Sequence, residues 1–175
     1  TTDATVLQEV IRVATTGRSS AGGTNNRGTL LSFQDASNTT LTSAIGGIRQ
    51  TPASDYSGAL AFYTNGASQA TGVSQLTEQM RLDSSGNLGL GVTPSAWSSA
   101  TALQTTAGSL FSQSSGAYLI LGQNCYFNGA DKYVANGYAS RYYQNAGAHT
   151  WSTAANNVSG AGASLSFTTV MTLDA

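Results

Sequence analysis

A single histidine, His149, stands two residues before Trp151, and Tyr138, Tyr142 and Tyr143 lie just upstream. Residues two apart on an extended chain share a face, so His149 and Trp151 point the same way if this stretch is a strand. Aromatic rings beside hydroxyl and amide groups can stack on a sugar and hydrogen-bond its rim. Tyr138, Tyr142, Tyr143, His149 and Trp151 are therefore the candidate receptor contacts. The plainer alternative is that His149 packs or hydrogen-bonds inside its own sheet. It has no partner at metal-ligand spacing, so it carries no catalytic signal.

Other reactive residue types are equally isolated. Cys125, between Asn124 and Tyr126, is the only cysteine, which excludes an intrachain disulfide and a paired-cysteine metal site; a free cysteine usually packs as a small apolar residue. Asp83-Ser84-Ser85 and Asp131-Lys132 read as turns rather than as nucleophile and base. A glycosidase needs two carboxylates about 5–10 Å apart, and nothing in the spacing of the eight acids brings two together. No phosphate-binding GxxxxGK[ST] loop occurs. The expectation is a chain without enzymatic activity, cofactor or metal.

Charge narrows the partners further. The 175 residues include 20 Gly, 2 Pro, 40% hydrophobic and 9% charged residues, with a net charge of −1, where an ordinary domain has about 25% charged. Serine and threonine carry most of the polar surface, which suits extended structure, and enough apolar residues remain to build cores. There is no basic stripe for nucleic acid and no polybasic patch for a membrane. No apolar run approaches the roughly 20 residues of a membrane-spanning helix, and Thr1-Thr2-Asp3 lacks the regions of a signal peptide. A first residue other than Met and a last residue inside a motif suggest an internal fragment.

The elements that must carry these residues are strands. Short alternating runs predict strands near Val6–Val13, Thr29–Phe33, Ala44–Arg49, Ala59–Tyr63, Gln79–Asp83 and Leu88–Val92. A second set is predicted near Gly116–Gly122, Cys125–Phe127, Lys132–Val134, Tyr138–Gln144, Ala148–Ala154 and Ser164–Asp174. Gly-, Asn- and Ser-rich strings between them are turn material, and Asn128-Gly129 predicts a hairpin with a loop longer than two residues. In "MRLDSSGNLGLGV", Ser84-Ser85-Gly86-Asn87 reads as a turn. Leu88, Leu90 and Val92 then alternate with Gly89 and Gly91, leaving one strand face bare, as where another backbone approaches closely.

Two units emerge from a repeat. Met171-Thr172-Leu173-Asp174 align on Met80-Arg81-Leu82-Asp83 with a displacement of 91 residues, and the same displacement sets Thr106 and Gly108 on Thr15 and Gly17. Pro94 restricts Thr93 to extended conformations, so the boundary is placed there: a β module over residues 1–94 ending in the SSGNLGLG strand and its linker, and a second over 95–175, cut within its closing motif. The expected fold class is all-β, two small antiparallel modules in tandem.

"EQMRLDSSGNLGLGVTPSAW" resembles the MRI-D-SSGN-GIGTTSP segment repeated in bacteriophage tail fibres, with Val92 in place of a Thr and Pro94 one residue early. "NCYFNGADKYVANGYASRYYQNAGAHTWSTAA" with "LSFTTVMTLDA" is similar to another module of those fibres. Together they cover Glu78–Trp97 and Asn124–Ala175, about two fifths of the chain. The resemblance implies an elongated homotrimeric fibre in the virion, assembled in the host cytoplasm, whose partners are its own copies, neighbouring tail or fibre proteins and a host surface glycan. It makes Leu88, Gly89, Leu90, Gly91 and Val92 candidate trimer-axis contacts, with the two glycines permitting close approach. The implied work is structural, linking the virion to a receptor-binding tip. A glycan-binding module and a bacterial trimeric adhesin segment are the alternatives.

Overall fold

Alternation of small apolar with polar residues gives each half of the chain a sheet with one closed face. The computed structural model describes residues 11–15, 28–34, 41–49, 57–66, 76–113 and 118–175. It is all-β, with no helix among those residues, and it forms two compact units, Thr1–Ser84 and Ser85–Ala175.

In the first unit β1 (Ile11–Thr15), β2 (Gly28–Gln34), β3 (Leu41–Arg49), β4 (Gly58–Asn65) and β5 (Leu76–Leu82) make an antiparallel meander in chain order. Of the strand predicted over Val6–Val13, residues 6–10 lie outside the described residues. Register sets Ala44, Ile48, Ala59, Ala61 and Arg81 on one buried face. Arg81 is accommodated because Glu78 accepts from its Nε and Nη2, each at 2.6 Å, so the buried cation keeps a forked counter-charge. Tyr63 donates its hydroxyl to the same carboxylate at 3.4 Å. Burial, then the Glu78 charge, pushes the Tyr63 phenol up to about 12.

The opposite face of that sheet is apolar. Leu31 pairs with Ile45, Ile45 with Phe62, and Phe62 with Met80, while Leu60 pairs with Leu82. After Phe62–Met80 the register slips, so that Tyr63 meets Glu78 and Gln79 is skipped, a β-bulge.

The second unit has a sheet in the order β6 (Leu88–Leu90), β7 (Ala100–Gln104), β8 (Gly108–Gln113), β9 (Tyr118–Gln123), followed by β12 (Gly137–Asn145), β13 (Ala148–Asn157) and β14 (Thr168–Leu173). A hairpin of β10 (Cys125–Phe127) and β11 (Asp131–Tyr133) stands apart from it. Its Asn128-Gly129-Ala130 loop, with Gly129 at φ +94°, is the longer hairpin loop that Asn-Gly predicted. Pairing is antiparallel except between β6 and β7, which run parallel. Trp97, Ala102, Phe111, Ile120, Cys125 and Tyr133 are among the residues of the core, with the Trp97 and Phe111 rings 4.8 Å apart.

Three expectations are revised here. Strands β7 and β8 occupy a stretch in which no strand was expected. Their apolar positions Ala102 and Phe111 are buried, and β8 pairs β9 along its length. The strand predicted over Leu88–Val92 stops at Leu90, because Gly91 adopts φ +66° and redirects the chain. The strand predicted from Ser164 starts only at Thr168, because the preceding residues bond to the hairpin instead: Leu165 N–H donates to Asp131 O (3.1 Å), Tyr133 N–H to Ala163 O (3.0 Å) and Gly162 N–H to Tyr133 O (2.9 Å).

The units also divide at Ser84/Ser85, ahead of the expected boundary at Pro94. Buried amides explain why. Asn87, 1% exposed, accepts the Ala102 N–H through Oδ1 at 3.0 Å. Gln104 Oε1 accepts from Ser95 N–H (2.8 Å) and Trp97 Nε1–H (2.9 Å). The SSGNLGLG strand and its linker are thereby part of the second unit's hydrogen-bond scheme.

Candidate functional site

The glycine-spaced strand is packed by its own chain. A methyl group at Gly89 would overlap the Val92 carbonyl oxygen and reach within 3.0 Å of Pro94 Cδ. The close approach inferred from the bare face is therefore made by the following turn, within the unit. Gly91 has open space around it and is set by its positive φ instead. Leu88 and Val92 are half-buried and Leu90 is exposed, so of the five candidate axis contacts Leu90 presents the most apolar side chain.

Of the five candidate receptor contacts, three converge. Tyr142, His149 and Trp151 share one sheet face: Tyr142 pairs with Trp151 across β12 and β13. Its ring centroid lies 5.0 Å from Trp151 and 5.8 Å from His149, the latter nearly parallel at 23°. Gln144 Nε2 donates to Tyr142 Oη at 3.0 Å, and the Tyr142 hydroxyl meets His149 Nδ1. With the hydroxyl donating, Nδ1 is the acceptor and Nε2 carries the proton. Tyr143, one residue on, points through the sheet to the core side. There it packs on Tyr118 (5.1 Å) and under the Arg141 guanidinium (5.5 Å), so it is not part of the shelf. Tyr138, at the start of β12, is 69% exposed and stands apart from the trio.

Beside the shelf a groove of about 540 Å³ is lined by Leu121, Tyr142, Trp151 and Val170, with Gln123 and Ser140 supplying polar groups. The shelf is also part of something longer. Leu88 pairs with Leu103, Leu103 with Leu110, Leu110 with Leu121, Leu121 with Tyr142, Tyr142 with Trp151, and Trp151 with Met171. One large side chain from each of seven strands thus lies in a row across the face opposite the core, and Leu110, Leu121 (57% exposed) and Met171 remain open to solvent. Sequence reasoning missed Leu103, Leu110, Leu121 and Met171 as a surface. The alternation in "SLFSQ" and "YLILG" could have indicated it, but register across seven strands is not readable from one strand.

Several ionisable groups are paired or packed within their own unit. Asp131 Oδ2 accepts from Arg141 Nη1 at 3.0 Å, and the same guanidinium lies 4.1 Å over the Phe167 ring. Burial raises the Asp131 carboxyl, against the lowering influence of Arg141. Burial also raises the Cys125 thiol to about 12, which removes the thiolate that a nucleophile or metal ligand requires. Glu78 is tied to Arg81. Among the described residues, no three His, Cys, Asp or Glu side chains gather as a metal site would require. No protein-family model, curated protein or solved structure matches this chain.

Proposed function

We propose that this chain is a structural segment of a phage tail fibre, two small β modules in tandem that assemble with copies of themselves and link the virion to a receptor-binding tip in host-cell attachment. The observation that carries the proposal is the row of apolar side chains crossing the second unit's sheet from Leu88 to Met171, with solvent on it and core on the other face. Fully burying one such side chain is worth about 1.5–3 kcal/mol, so a half-exposed one gains about 1 kcal/mol. Several per chain, summed over the chains, become comparable with an association cost of about 4–15 kcal/mol. The work is mechanical and needs no catalysis. The homotrimer and the virion rest on the tail-fibre resemblance of Glu78–Trp97 and Asn124–Ala175.

Absolute mass by light scattering, read with the small-angle scattering profile, tests it. A rod-like trimer that falls apart in a Leu110→Lys, Leu121→Lys variant is the expected result; a compact monomer at high concentration rules the reading out. Gly89 is unsuited to this test, because any side chain there collides with Val92 within the same unit.

A second reading is favoured by the Tyr142–His149–Trp151 shelf and its groove: the module binds a neutral glycan directly. Quenching of Trp fluorescence by oligosaccharides, lost in Trp151→Ala, would support it. A bacterial trimeric adhesin segment is distinguished by what its gene neighbourhood encodes.

A further inference from the structure

Three Asn-Gly steps occur in the chain, Asn65-Gly66, Asn128-Gly129 and Asn136-Gly137, and as sequence they are alike. Each joins a thermolabile amide to the residue whose missing Cβ leaves its backbone nitrogen unshielded. That junction has a chemistry of its own. The glycine nitrogen gives up its proton to solvent and attacks Cγ of the asparagine, the bond from Cγ to Nδ2 breaks, and Nδ2 takes up a proton and leaves as ammonia. Water then reopens the five-membered imide at either carbonyl. Opening at the side-chain carbonyl gives aspartate; opening at the main-chain carbonyl gives isoaspartate, whose backbone runs through one extra carbon. Nothing is oxidised or reduced, and water is the only co-reactant.

The ring closes only when the asparagine side chain can swing over the next nitrogen and the backbone can turn beneath it, and on this the three steps differ. Asn136 Oδ1 accepts the Gly160 N–H at 2.7 Å, its main-chain carbonyl accepts from Asn124 Nδ2 at 3.5 Å, and Gly137 pairs with Asn157. Both halves of that step are pinned. Asn65 is half-buried at the end of β4 and pairs with Leu76, so a ladder holds the backbone that would have to turn. Asn128 is held least. It is exposed in the loop between β10 and β11, where its N–H donates to Ala130 O at 3.2 Å while its carboxamide has no partner among the described residues. Gly129 beside it takes φ +94° with open space where a Cβ would stand.

We propose that Asn128 is a self-modification site, at which the folded chain converts its own amide to aspartate and isoaspartate while Asn65 and Asn136 are spared. The position gives the two products different effects. Ser98 pairs with Asn128 and donates its N–H to Phe127 O at 3.0 Å, and Phe127 closes the hairpin opposite Asp131. An isoaspartate lengthens the backbone of that loop and disturbs Ser98, the neighbour of the core residue Trp97. An aspartate keeps the backbone and adds only a negative charge. The proposal goes beyond the fibre reading and does not depend on it.

The test keeps the full 175-residue chain in warm, mildly alkaline buffer made with heavy-oxygen water, beside an identical sample in denaturant, and maps both by mass after digestion. Heavy oxygen marks each converted asparagine, and electron-transfer fragmentation separates isoaspartate from aspartate. What is read at each site is its rate in the folded chain divided by its rate in denaturant. The expected ratio at Asn128 exceeds those at Asn65 and Asn136 several-fold, and the isoaspartate fraction shows faster hydrogen exchange at Ser98. Asn128→Gln, whose longer side chain closes the ring poorly, should abolish conversion at that position and leave the other two sites slow. A ratio at Asn128 no higher than at Asn65 or Asn136, or a folded chain in which none of the three converts, would overturn the proposal.

Discussion

Buried amides, rather than apolar contacts, decide how the loops of the second unit are held. Asn124 takes φ +55° at the turn after β9, accepts the Ala135 N–H (2.9 Å) and donates Nδ2 to the carbonyls of Ala135 (3.2 Å) and Tyr138 (3.1 Å). Asn157 Nδ2 donates to the carbonyls of Ala135 (3.1 Å) and Gly160 (2.8 Å). Each amide satisfies backbone groups that no ladder reaches, and losing one leaves them buried and unmatched. Asn87→Ala is therefore expected to cost about 1–3 kcal/mol, and Asn124→Ala more, both read from denaturant midpoints. The two glycines of "LGLG" should separate cleanly. Gly89→Ala meets the Val92 carbonyl and should be the more damaging change, whereas Gly91→Ala meets only its positive φ, a cost of about 1 kcal/mol. Cys125 should resist alkylation in the folded chain at pH 8 and react on unfolding, since its thiol is raised to about 12. Asp131 has the opposite pH signature to a carboxylate lowered by its ion pair. Its folded pKa is raised, so ionising it opposes folding, and its contribution grows more favourable as the pH falls through the folded value toward the ordinary carboxylate range. Asp131→Asn should flatten that acid limb of a stability–pH curve.

Strand existence was legible where alternation was strong and hidden where it was weak. "GALAFYTN" and "AHTWSTAANN" show period two plainly and became β4 and β13. "ATALQ" and "GSLFSQ" carry too few large residues to stand out from linker, yet they are β7 and β8, stabilised by neighbours that a local pattern does not contain. The same limit governed the candidate site. His149 and Trp151 sharing a face followed from period two, and so did Tyr142 as their neighbour once pairing was known. Tyr143 could not share that face, because it is adjacent to Tyr142 in a continuous strand, and this consequence of period two was available from the sequence. The bulges were not legible at all, since Gln79, skipped in β5, and Val170, skipped in β14, have no chemistry in common; only register reveals them. Deleting Val170 should leave Trp151–Met171, Ser152–Thr169 and Thr153–Thr168 as consecutive pairs of an unbroken ladder, with Thr168 and Thr169 keeping their faces. Native-state hydrogen exchange should then show slower exchange in β14, with β12 and β9 unchanged.

At the scale of the chain, scarcity of charge sets how the proposed assembly would respond to solution conditions. With 7 basic and 8 acidic residues, association driven by apolar faces should change little between low and moderate sodium chloride, strengthen in sulfate, and show a negative heat-capacity change on assembly. An assembly dispersed by moderate sodium chloride would point to ion pairs instead. The division at Ser84/Ser85 reaches beyond equilibrium into the order of synthesis. The first unit's own strands are all available once Leu82 has left the ribosome. Asn87 must wait longer, because its Oδ1 accepts the Ala102 N–H, and Leu88 meets Leu103, only when β7 follows. A nascent chain halted at Leu90 therefore holds a buried-type amide with its partner not yet made, and proteases should cut the Ser84–Asn87 turn faster there than in a chain extended past Gln104, so that this turn reports how far synthesis had gone.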